Sequence, residues 1–321
     1  MLKDHKIITI GEILVEFVSH VKNCALTQVG PYTGPYPSGA PAIFIDQAAL
    51  VGGSTAIVGG VGEDGFGRGI LKRLQADGVG IENIAFAPGV STGTAFVSYY
   101  DNGTRDFIFH LHHTAAEVIV FDPQLFDHEK IILHVSAASL GNAVIRSATM
   151  SAVHSVLRAG GKISCDPNAR PELMRDTAAR LALEEVIAES FCLLPSTSDL
   201  AFLYPDQSED AALTQLMKSN AAIIAIKRGA QGASIIQNGN RIDFPGHDVT
   251  EVDPTGAGDC FCGTFISLLT QGVTPETAGR LANAAGAMSV EHRGPMEGNS
   301  SRTEIEAFLA ARNPRHVGAF L

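Results

Sequence analysis

The sequence predicts an α/β protein with a mostly parallel sheet that helices cover on both faces. Two observations support this fold class: short β-branched runs recur along the chain, and segments with helical apolar spacing separate them. Strand, helix and strand at such spacing are typical of a parallel sheet. At 321 residues the chain is long enough for one large domain with an elaboration or for two ordinary domains, and we expect a single domain over residues 1–321.

Each element is predicted from its local pattern, beginning with a β-branched strand at residues 7–17 and a helix of apolar spacing at 42–50. A strand at 55–61 then leads into a helix at 67–77. The further predicted strands are residues 81–86, 131–135, 163–166, 191–194 and 222–227, and the further predicted helix is residues 148–159.

Two stretches break the alternation. Residues 94–100 and 105–112 flank an Asn102-Gly103 turn, which is typical of a β-hairpin. Residues 23–38 are polar and rich in Gly and Pro, so we do not expect them to be helical. The hairpin carries many aromatic and His side chains, which favours a functional surface over an ordinary exposed hairpin at a sheet edge.

A glycine turn near the C-terminal end is the strongest chemical signal, and it reads Asp253-Pro254-Thr255-Gly256-Ala257-Gly258-Asp259. We call residues 253–259 the anion turn. Small residues expose backbone N–H groups, and the apolar helix that follows adds positive potential, so the turn suits a phosphate or a developing anion. Asp259 would be an ordinary helix start by itself, but beside such a turn it is a candidate general base for phosphoryl transfer.

Composition limits the other possibilities. Hydrophobic residues make up 45% of the chain and charged residues 18%, which indicates a well-filled globular core, and the net charge of −11 argues against a nucleic-acid partner. The five cysteines have no zinc-site spacing. We expect no signal peptide, no membrane span and a cytoplasmic location.

The anion turn, followed by Gly263, resembles the second signature of the ribokinase (PfkB) family of carbohydrate kinases. The resemblance covers roughly residues 7–309, and residues 38–46 look closest to tagatose kinases and fructokinases. It implies a three-layer α/β/α fold with a small β-lid formed from about residues 12–37 and 91–113. It also implies an ATP-dependent kinase that uses Mg²⁺, in which Asp259 is the base and Gly256, Ala257 and Gly258 stabilise the developing charge.

The resemblance further implies a set of sugar contacts. Candidates are Glu12 and Glu16 in the run that ends the first strand, Gly39 and Ala40 in a run similar to the Gly-Gly-Ala-Pro-Ala-Asn of fructokinases, His110 and His112 on the lid, and Asp259. Ile43 stands where the family's sugar-binding Asn would be, and an apolar side chain cannot bond a hydroxyl group. Asp46, one helical turn later, is the expected substitute. Solvent-facing acids and partly exposed lid histidines are the alternatives.

On the nucleotide side, the resemblance implies contacts from Lys227, Gly229, Gly232, Thr255, Gly256, Gly258 and Asn283. Arg170 is a candidate γ-phosphate contact, with an ordinary surface arginine as the alternative. Asp199 is a candidate to organise magnesium through water, although Ser196 replaces the family's Asn, and a helix N-cap is its alternative. Arg293-Gly294-Pro295 resembles a loop whose carbonyl groups bind a monovalent cation, which implies K⁺.

Three functions stay open at this point. The favoured one is phosphorylation of a ketohexose, tagatose or fructose, and the alternatives are a 2-keto-3-deoxygluconate kinase and a catalytically silent sugar sensor. The GxGxxG pattern at residues 60–65 favours a dinucleotide fold when taken alone, but the anion turn outweighs it. Apolar lid residues, including Phe96, Phe107 and Phe109, further predict a homodimer formed through the lid.

Overall fold

A computed structural model of the chain describes residues 2–102, 104–169 and 176–312. The strands in these residues are β1 (Lys6–Ile10), β2 (Leu14–Ser19), β3 (Tyr32–Ser38), β4 (Thr55–Gly62), β5 (Ile84–Ala87), β6 (Gly93–Tyr99), β7 (Arg105–His110), β8 (Ile131–Ser136), β9 (Lys162–Asp166), β10 (Cys192–Leu193), β11 (Ile223–Lys227), β12 (Ala233–Gln237) and β13 (Asn240–Phe244). The α-helices are α1 (Ala40–Leu50), α2 (Gly65–Ala76), α3 (Ala143–Arg158), α4 (Thr177–Glu189), α5 (Thr197–Leu203), α6 (Glu209–Leu216), α7 (Ala257–Thr270), α8 (Pro275–Ser289) and α9 (Arg302–Arg312).

The large sheet has the strand order β13-β12-β11-β10-β9-β8-β1-β4-β5. Strands β11 to β5 in this order are parallel, and β12 and β13 add an antiparallel hairpin at one edge. The hairpin turns at Asn238 and Gly239, whose φ angles of 51° and 76° suit an Asn-Gly turn. The predicted mostly parallel sheet is therefore confirmed.

Two hydrophobic cores, one on each face of the large sheet, make the fold a three-layer α/β/α sandwich. Side chains alternate between the faces along each strand, so that Ile7 packs into one core and Ile8 into the other. Helices α1, α2, α7, α8 and α9 cover the first core, and helices α3, α4, α5 and α6 cover the second. This arrangement confirms the predicted fold class.

A second, four-stranded sheet has the order β3-β2-β6-β7 and lies apart from the large one. Strands β2 and β6 are parallel, and the other two pairs are antiparallel. Three of its strands, β3, β6 and β7, come from the two stretches that break the sequence alternation, and β2 comes from the run predicted as the first strand. We call it the second sheet.

The first predicted strand, residues 7–17, was wrong as a single element. The chain leaves the large sheet after Ile10 and enters the second sheet at Leu14, with Gly11, Glu12 and Ile13 between the two strands. A methyl group at Gly11 would lie 2.4 Å from Cγ of Pro41, so helix α1 packs directly against this crossing.

Helix α7 packs just as closely on α1, because a methyl group at Gly263 would lie 2.4 Å from the carbonyl oxygen of Phe44. This contact holds the start of α7, and with it the anion turn, beside the start of α1. None of the helices in the described ranges is both long enough and apolar enough to cross a membrane.

Candidate active site

A cavity of about 1370 Å³ opens where the parallel strands end. Residues that follow β1, β8, β9 and β11 line it, together with the anion turn, the start of α1 and residues of the second sheet. Ligand sites of open α/β sheets lie at this edge, because the strand ends leave a crevice there. The cavity brings together most of the site residues predicted from the sequence.

The anion turn forms part of the cavity wall. Gly256 has a φ of 84° and is the N-cap of α7, and a methyl group on it would lie 2.4 Å from the carbonyl oxygen of Pro295. Glycine is thus required here both by backbone conformation and by space. The first N–H groups of a helix have no partner within the helix, so Gly258 presents a donor to the cavity. The N–H group of Ala257 lies in the same wall, with a long contact of 3.5 Å to the carbonyl oxygen of Pro254. Asp259 lies in the same turn and is 8% exposed.

Asp253 holds the anion turn in shape. Its carboxylate accepts hydrogen bonds from the N–H groups of Thr255 at 3.0 Å and Gly294 at 2.9 Å. Tyr99 of the second sheet donates its hydroxyl hydrogen to Oδ1 of Asp253 at 2.5 Å and also contacts Oγ1 of Thr255. Sequence reasoning missed Tyr99, because no local pattern signals a contact across more than 150 residues.

A buried ion pair lies beside the anion turn. Nζ of Lys227 donates to Oδ2 of Asp166 and lies 3.5 Å from Sγ of Cys262, and it would be 3.4 Å from a methyl group at Gly258. Burial alone would lower the pKa of Lys227, but Asp166 and the other nearby acidic groups outweigh this and raise it. The ammonium group therefore stays protonated next to the N–H groups that would face a phosphate.

Two carboxylates line the other end of the cavity. Glu12 accepts a hydrogen bond from Oγ of Ser139 at 2.6 Å, and Glu16 accepts one from Oγ of Ser38 at 3.2 Å. Both residues line the cavity, and their contact with a sugar stays a prediction. These carboxylates are suitable acceptors for sugar hydroxyl groups.

Gly39 and Ala40 also line the cavity, at the start of α1. A methyl group on Gly39, whose φ is 108°, would lie 2.4 Å from the carbonyl oxygen of Glu12. Ile43 reaches the same wall and would contact a methyl group on Gly256 at 3.2 Å. The apolar side chain of Ile43 therefore stands where the sugar-binding Asn of the resembling family was expected, and it packs against the anion turn.

The structure corrects the expectation for Asp46. Its carboxylate does not line the cavity; it is completely buried, accepts a hydrogen bond from Asn299 at 2.8 Å and lies 3.6 Å from Arg73. Arg73 also donates to the carbonyl group of Met296 at 3.0 Å. Asp46 thus links α1 to α2 and to the loop that follows α8, and it is too far inside the protein to contact a sugar.

Burial raises the pKa of Asp46 to about 7, against the opposing effects of Asn299 and Arg73. Because the unfolded value is near 3.9, the folded state binds this proton more tightly, and stability is lost as the pH rises from about 4 to about 7. We expect Asp46→Asn to remove this loss, which would be at most about 4 kcal/mol. Melting temperatures of both proteins across this range test the prediction, and parallel curves would contradict it.

His110 is also corrected. Phe107 and Phe109 of β7 line the cavity, and their rings stack with centroids 5.3 Å apart. Because side chains alternate along a strand, His110 points away from this face and does not line the cavity. His112, beyond the end of β7, does line it, and its Nδ1 lies 2.9 Å from Oε1 of Glu117.

Arg105 of the second sheet is a further residue at the cavity. It follows the Asn102-Gly103 turn in the sequence, lines the cavity and packs over the ring of Phe107, with its guanidinium carbon 5.3 Å from the ring centroid. The second sheet therefore presents a cation and two aromatic rings to the cavity.

The predicted nucleotide residues line a further part of the same cavity. Gly229 and Gly232 follow β11 with φ angles of 54° and 92°, and Thr255 belongs to the anion turn. Asn283 of α8 lines the cavity and donates from Nδ2 to the carbonyl oxygen of Pro245 at 2.9 Å. Arg170, the candidate γ-phosphate contact, lies outside the described residues.

The GxGxxG pattern at residues 60–65 is a structural turn. A methyl group on Gly60 would lie 2.3 Å from the carbonyl oxygen of Ala115, so this backbone is covered by protein. Asp64 caps α2 and accepts a hydrogen bond from the N–H group of Thr92 at 2.7 Å. The glycines of the GxGxxG pattern do not line the cavity, so they form no phosphate-binding site there.

Comparison with known proteins decides the family. The sequence pattern of the pfkB family carbohydrate kinase matches residues 4–302. The chain belongs to this family. It is 30% identical over 280 residues to a fructokinase of Vibrio alginolyticus, covering 85% of this chain and 91% of that protein. The family match and the fructokinase relatives together identify this protein as an ATP-dependent sugar kinase.

Solved structures of PfkB-like kinases share the whole fold. The crystal structure of a putative ribokinase II from E. coli, in complex with ATP and Mg²⁺, is 39% identical with a TM-score of 0.89, covering 96% of this chain and 99% of that one. A fructokinase from Vibrio cholerae O395 bound to fructose, ADP and calcium is 25% identical with a TM-score of 0.82, covering 95% and 99%.

PfkB membership implies magnesium together with ATP, and Asp199 is the residue to examine. Its Oδ1 accepts from the N–H group of Ala169 at 2.7 Å, and its Oδ2 accepts from the N–H and hydroxyl groups of Ser196, both at 2.6 Å. Ser196 and Asp199 thus form a capping box at the start of α5. Over residues 2–102, 104–169 and 176–312, no cluster of three or more His, Cys, Asp or Glu could hold a metal. Because both carboxylate oxygens of Asp199 already accept hydrogen bonds, a magnesium ion near it would be held mainly by phosphate oxygens and water.

Proposed function

We propose that this PfkB kinase phosphorylates a primary hydroxyl group of a ketohexose, tagatose or fructose, to give the 6-phosphate. The observation that carries the proposal is that Asp259 and the anion turn share one cavity with Glu12 and Glu16. This cavity therefore offers a base, an anion site and acceptors for sugar hydroxyl groups together. The fructokinase names of the relatives support a ketohexose as the substrate.

The reaction follows from these positions. The sugar oxygen attacks the γ-phosphorus of ATP, the new O–P bond forms as the bond to the β-phosphate oxygen breaks, and ADP leaves. Asp259 accepts the hydroxyl proton, and the N–H groups of Ala257 and Gly258 stabilise the charge on the transferred group. Lys227 adds a fixed positive charge at the same turn. Bound magnesium would neutralise phosphate charge.

The second sheet acts in this proposal as a lid over the sugar. It contributes Glu16, Arg105, Phe107 and Phe109 to the cavity wall, so its position decides how much water reaches the reacting atoms. Excluding water favours transfer to the sugar over hydrolysis of ATP.

The residues that predicted a dimer do not form an outer surface, because Phe107 and Phe109 line the cavity and Phe96 stacks on Phe17. The outer face of the second sheet instead bears Ile108, which is 53% exposed, and we propose that two copies pair through this face. Sedimentation of the wild type and of Ile108→Asp tests the dimer.

The deciding experiment measures ADP release with Mg²⁺-ATP against tagatose, fructose, ribose, adenosine and 2-keto-3-deoxygluconate. Turnover that is strongest on a ketohexose is the expected result. Turnover on 2-keto-3-deoxygluconate alone would agree with the mechanism and contradict the proposal that the substrate is a ketohexose. Sugar binding without turnover on any compound would contradict the kinase reaction here and favour a sensor. Repeating the assay with K⁺ replaced by Na⁺ tests the predicted monovalent cation, and a cytoplasmic location stays a prediction.

Arg105 favours 2-keto-3-deoxygluconate as a second candidate, because a guanidinium group at the cavity suits a carboxylate. For a ketohexose we expect Arg105→Ala to change KM by less than about threefold, since the contact would be to a neutral hydroxyl group. For the acid, loss of a charge-assisted hydrogen bond would raise KM by about 10-fold to 100-fold. Steady-state kinetics on both sugars, with Arg241→Ala as a surface control, separate the two.

A further inference from the structure

One side chain connects the second sheet to the anion turn. Tyr99 is the last residue of β6, in the second sheet, yet its hydroxyl group contacts Asp253 and Thr255 of the anion turn. Asp253 is 1% exposed and Thr255 9%, and Tyr99 and Thr255 line the cavity, so the three groups meet in its wall. Hydrogen bonds between a hydroxyl group and a buried carboxylate are among the stronger ones in proteins.

The bonds of Asp253 fix the backbone immediately before Gly256. The carboxylate accepts from the N–H group of Thr255 on one oxygen and from that of Gly294 on the other. Gly256 follows directly, and its space is limited by the carbonyl group of Pro295. A change in the position of Asp253 or Thr255 therefore changes where the N–H groups of Ala257 and Gly258 point.

The other end of Tyr99 is fixed to the substrate-facing part of the second sheet. Tyr99 is directly opposite Arg105 in the pairing of β6 with β7, and its carbonyl oxygen accepts from the N–H group of Asn23 at 2.8 Å. The same strand pairs with β2 at Glu16. A movement of the second sheet over a sugar would thus be transmitted to the tyrosine ring.

The hydroxyl group keeps its proton under all ordinary conditions. Burial raises the pKa of Tyr99, and the negative charge of Asp253 raises it further. Tyr99 is therefore a constant donor to Asp253, and its effect does not depend on titration near neutral pH.

We propose that Tyr99 is a positioning residue that ties the second sheet to the anion turn, so that closure over the sugar sets the geometry of the phosphate-binding N–H groups. The proposal rests on the proposed lid and on transfer to a sugar, but not on the identity of that sugar. It assigns to Tyr99 an effect on the rate of transfer, exerted through Asp253 and Thr255, without contact to the reacting atoms.

The test is Tyr99→Phe, which removes only the hydroxyl group. We expect kcat with the best sugar to fall about 10-fold to 100-fold, because a hydrogen bond to a charged group is lost. The KM for ATP should stay close to the wild type. The melting temperature should fall by only a few degrees, because Asp253 keeps its bonds from Thr255 and Gly294. The matched control is Tyr204→Phe, because Tyr204 is half-buried at the end of α5 and does not line the cavity. Equal kcat for the two variants would overturn the proposal. A melting temperature so low that Tyr99→Phe is partly unfolded at the assay temperature would also overturn it, because unfolding would then account for the fall in kcat.

A second measurement does not need turnover. Hydrogen exchange of the peptide spanning residues 250–262 should be faster in Tyr99→Phe than in the wild type, while exchange in α3 should be unchanged. If the wild type shows no turnover on any sugar, the proposed function fails, and this measurement still tests the link. Unchanged exchange in the anion turn would contradict it.

Discussion

Replacing Asp259 with asparagine is expected to lower kcat by about 10²-fold to 10⁴-fold, with little change in the KM for ATP. The amide keeps the size of the carboxylate but cannot accept the hydroxyl proton of the sugar. Asp259 lies in the first turn of α7, where its charge also interacts with the helix dipole, and that interaction contributes only about 0.3–1 kcal/mol. The loss should therefore appear in catalysis far more than in stability.

Steady-state kinetics and melting curves of Asp259→Asn test this expectation. Asp206→Asn is a suitable control, because Asp206 is exposed in the turn after α5 and lies outside the cavity. Wild-type turnover in Asp259→Asn would show that the proton leaves by another route. A large loss of stability would show that the carboxylate is needed for folding rather than for proton transfer.

Replacing Lys227 with methionine is the second change with a large expected effect. It would leave Asp166, which is 2% exposed, without the ammonium group that faces it. Removing one partner of a buried ion pair costs about 3–5 kcal/mol, so the melting temperature should fall by many degrees. Turnover should fall as well, because the fixed positive charge beside Gly258 is lost.

The double variant Lys227→Met with Asp166→Asn separates the two effects. It removes both charges, so most of the lost stability should return, while turnover should stay low. Denaturant unfolding gives the stability, and ADP release at saturating substrates gives the activity. Recovery of both would show that Lys227 serves only to neutralise Asp166, and that phosphate chemistry does not need it.

The fold could be predicted from the sequence to a large extent, because buried parallel strands produce short β-branched apolar runs that recur between helical segments. The strand predicted at residues 55–61 is Thr55–Gly62 in the structure. The failure at residues 7–17 has a physical cause. Gly11 and Glu12 interrupt the apolar run only briefly. The sequence therefore does not show that the residues before and after this interruption belong to two different sheets.

The site was predictable where its residues are local and was not where the contacts are distant. Gly256, Ala257, Gly258 and Asp259 are consecutive at the start of α7, so their order alone predicts that they lie together. Asp46 was placed wrongly because α1 is buried on nearly every side, so its apolar pattern does not show which side faces the cavity.

The strand period gives a further lesson. His110 and Phe109 are neighbours on β7, and a period of two places only one of them at the cavity. The aromatic residues are the ones that face inward, which no charge or polarity rule indicated. The contacts of Tyr99 with Asp253 and of Lys227 with Asp166 join residues 154 and 61 positions apart, and no local pattern predicts such pairs.

The crossing between Ile10 and Leu14 also affects how substrate range can change in such an enzyme. Glu12 is bonded to Ser139 beside the large sheet, whereas Glu16, four residues later, belongs to the second sheet. The two acids proposed to contact the sugar are thus anchored to separate sheets. We expect mutations that shift the second sheet to move Glu16 relative to Glu12 and alter sugar choice, while Asp259 and its turn keep the same phosphoryl chemistry.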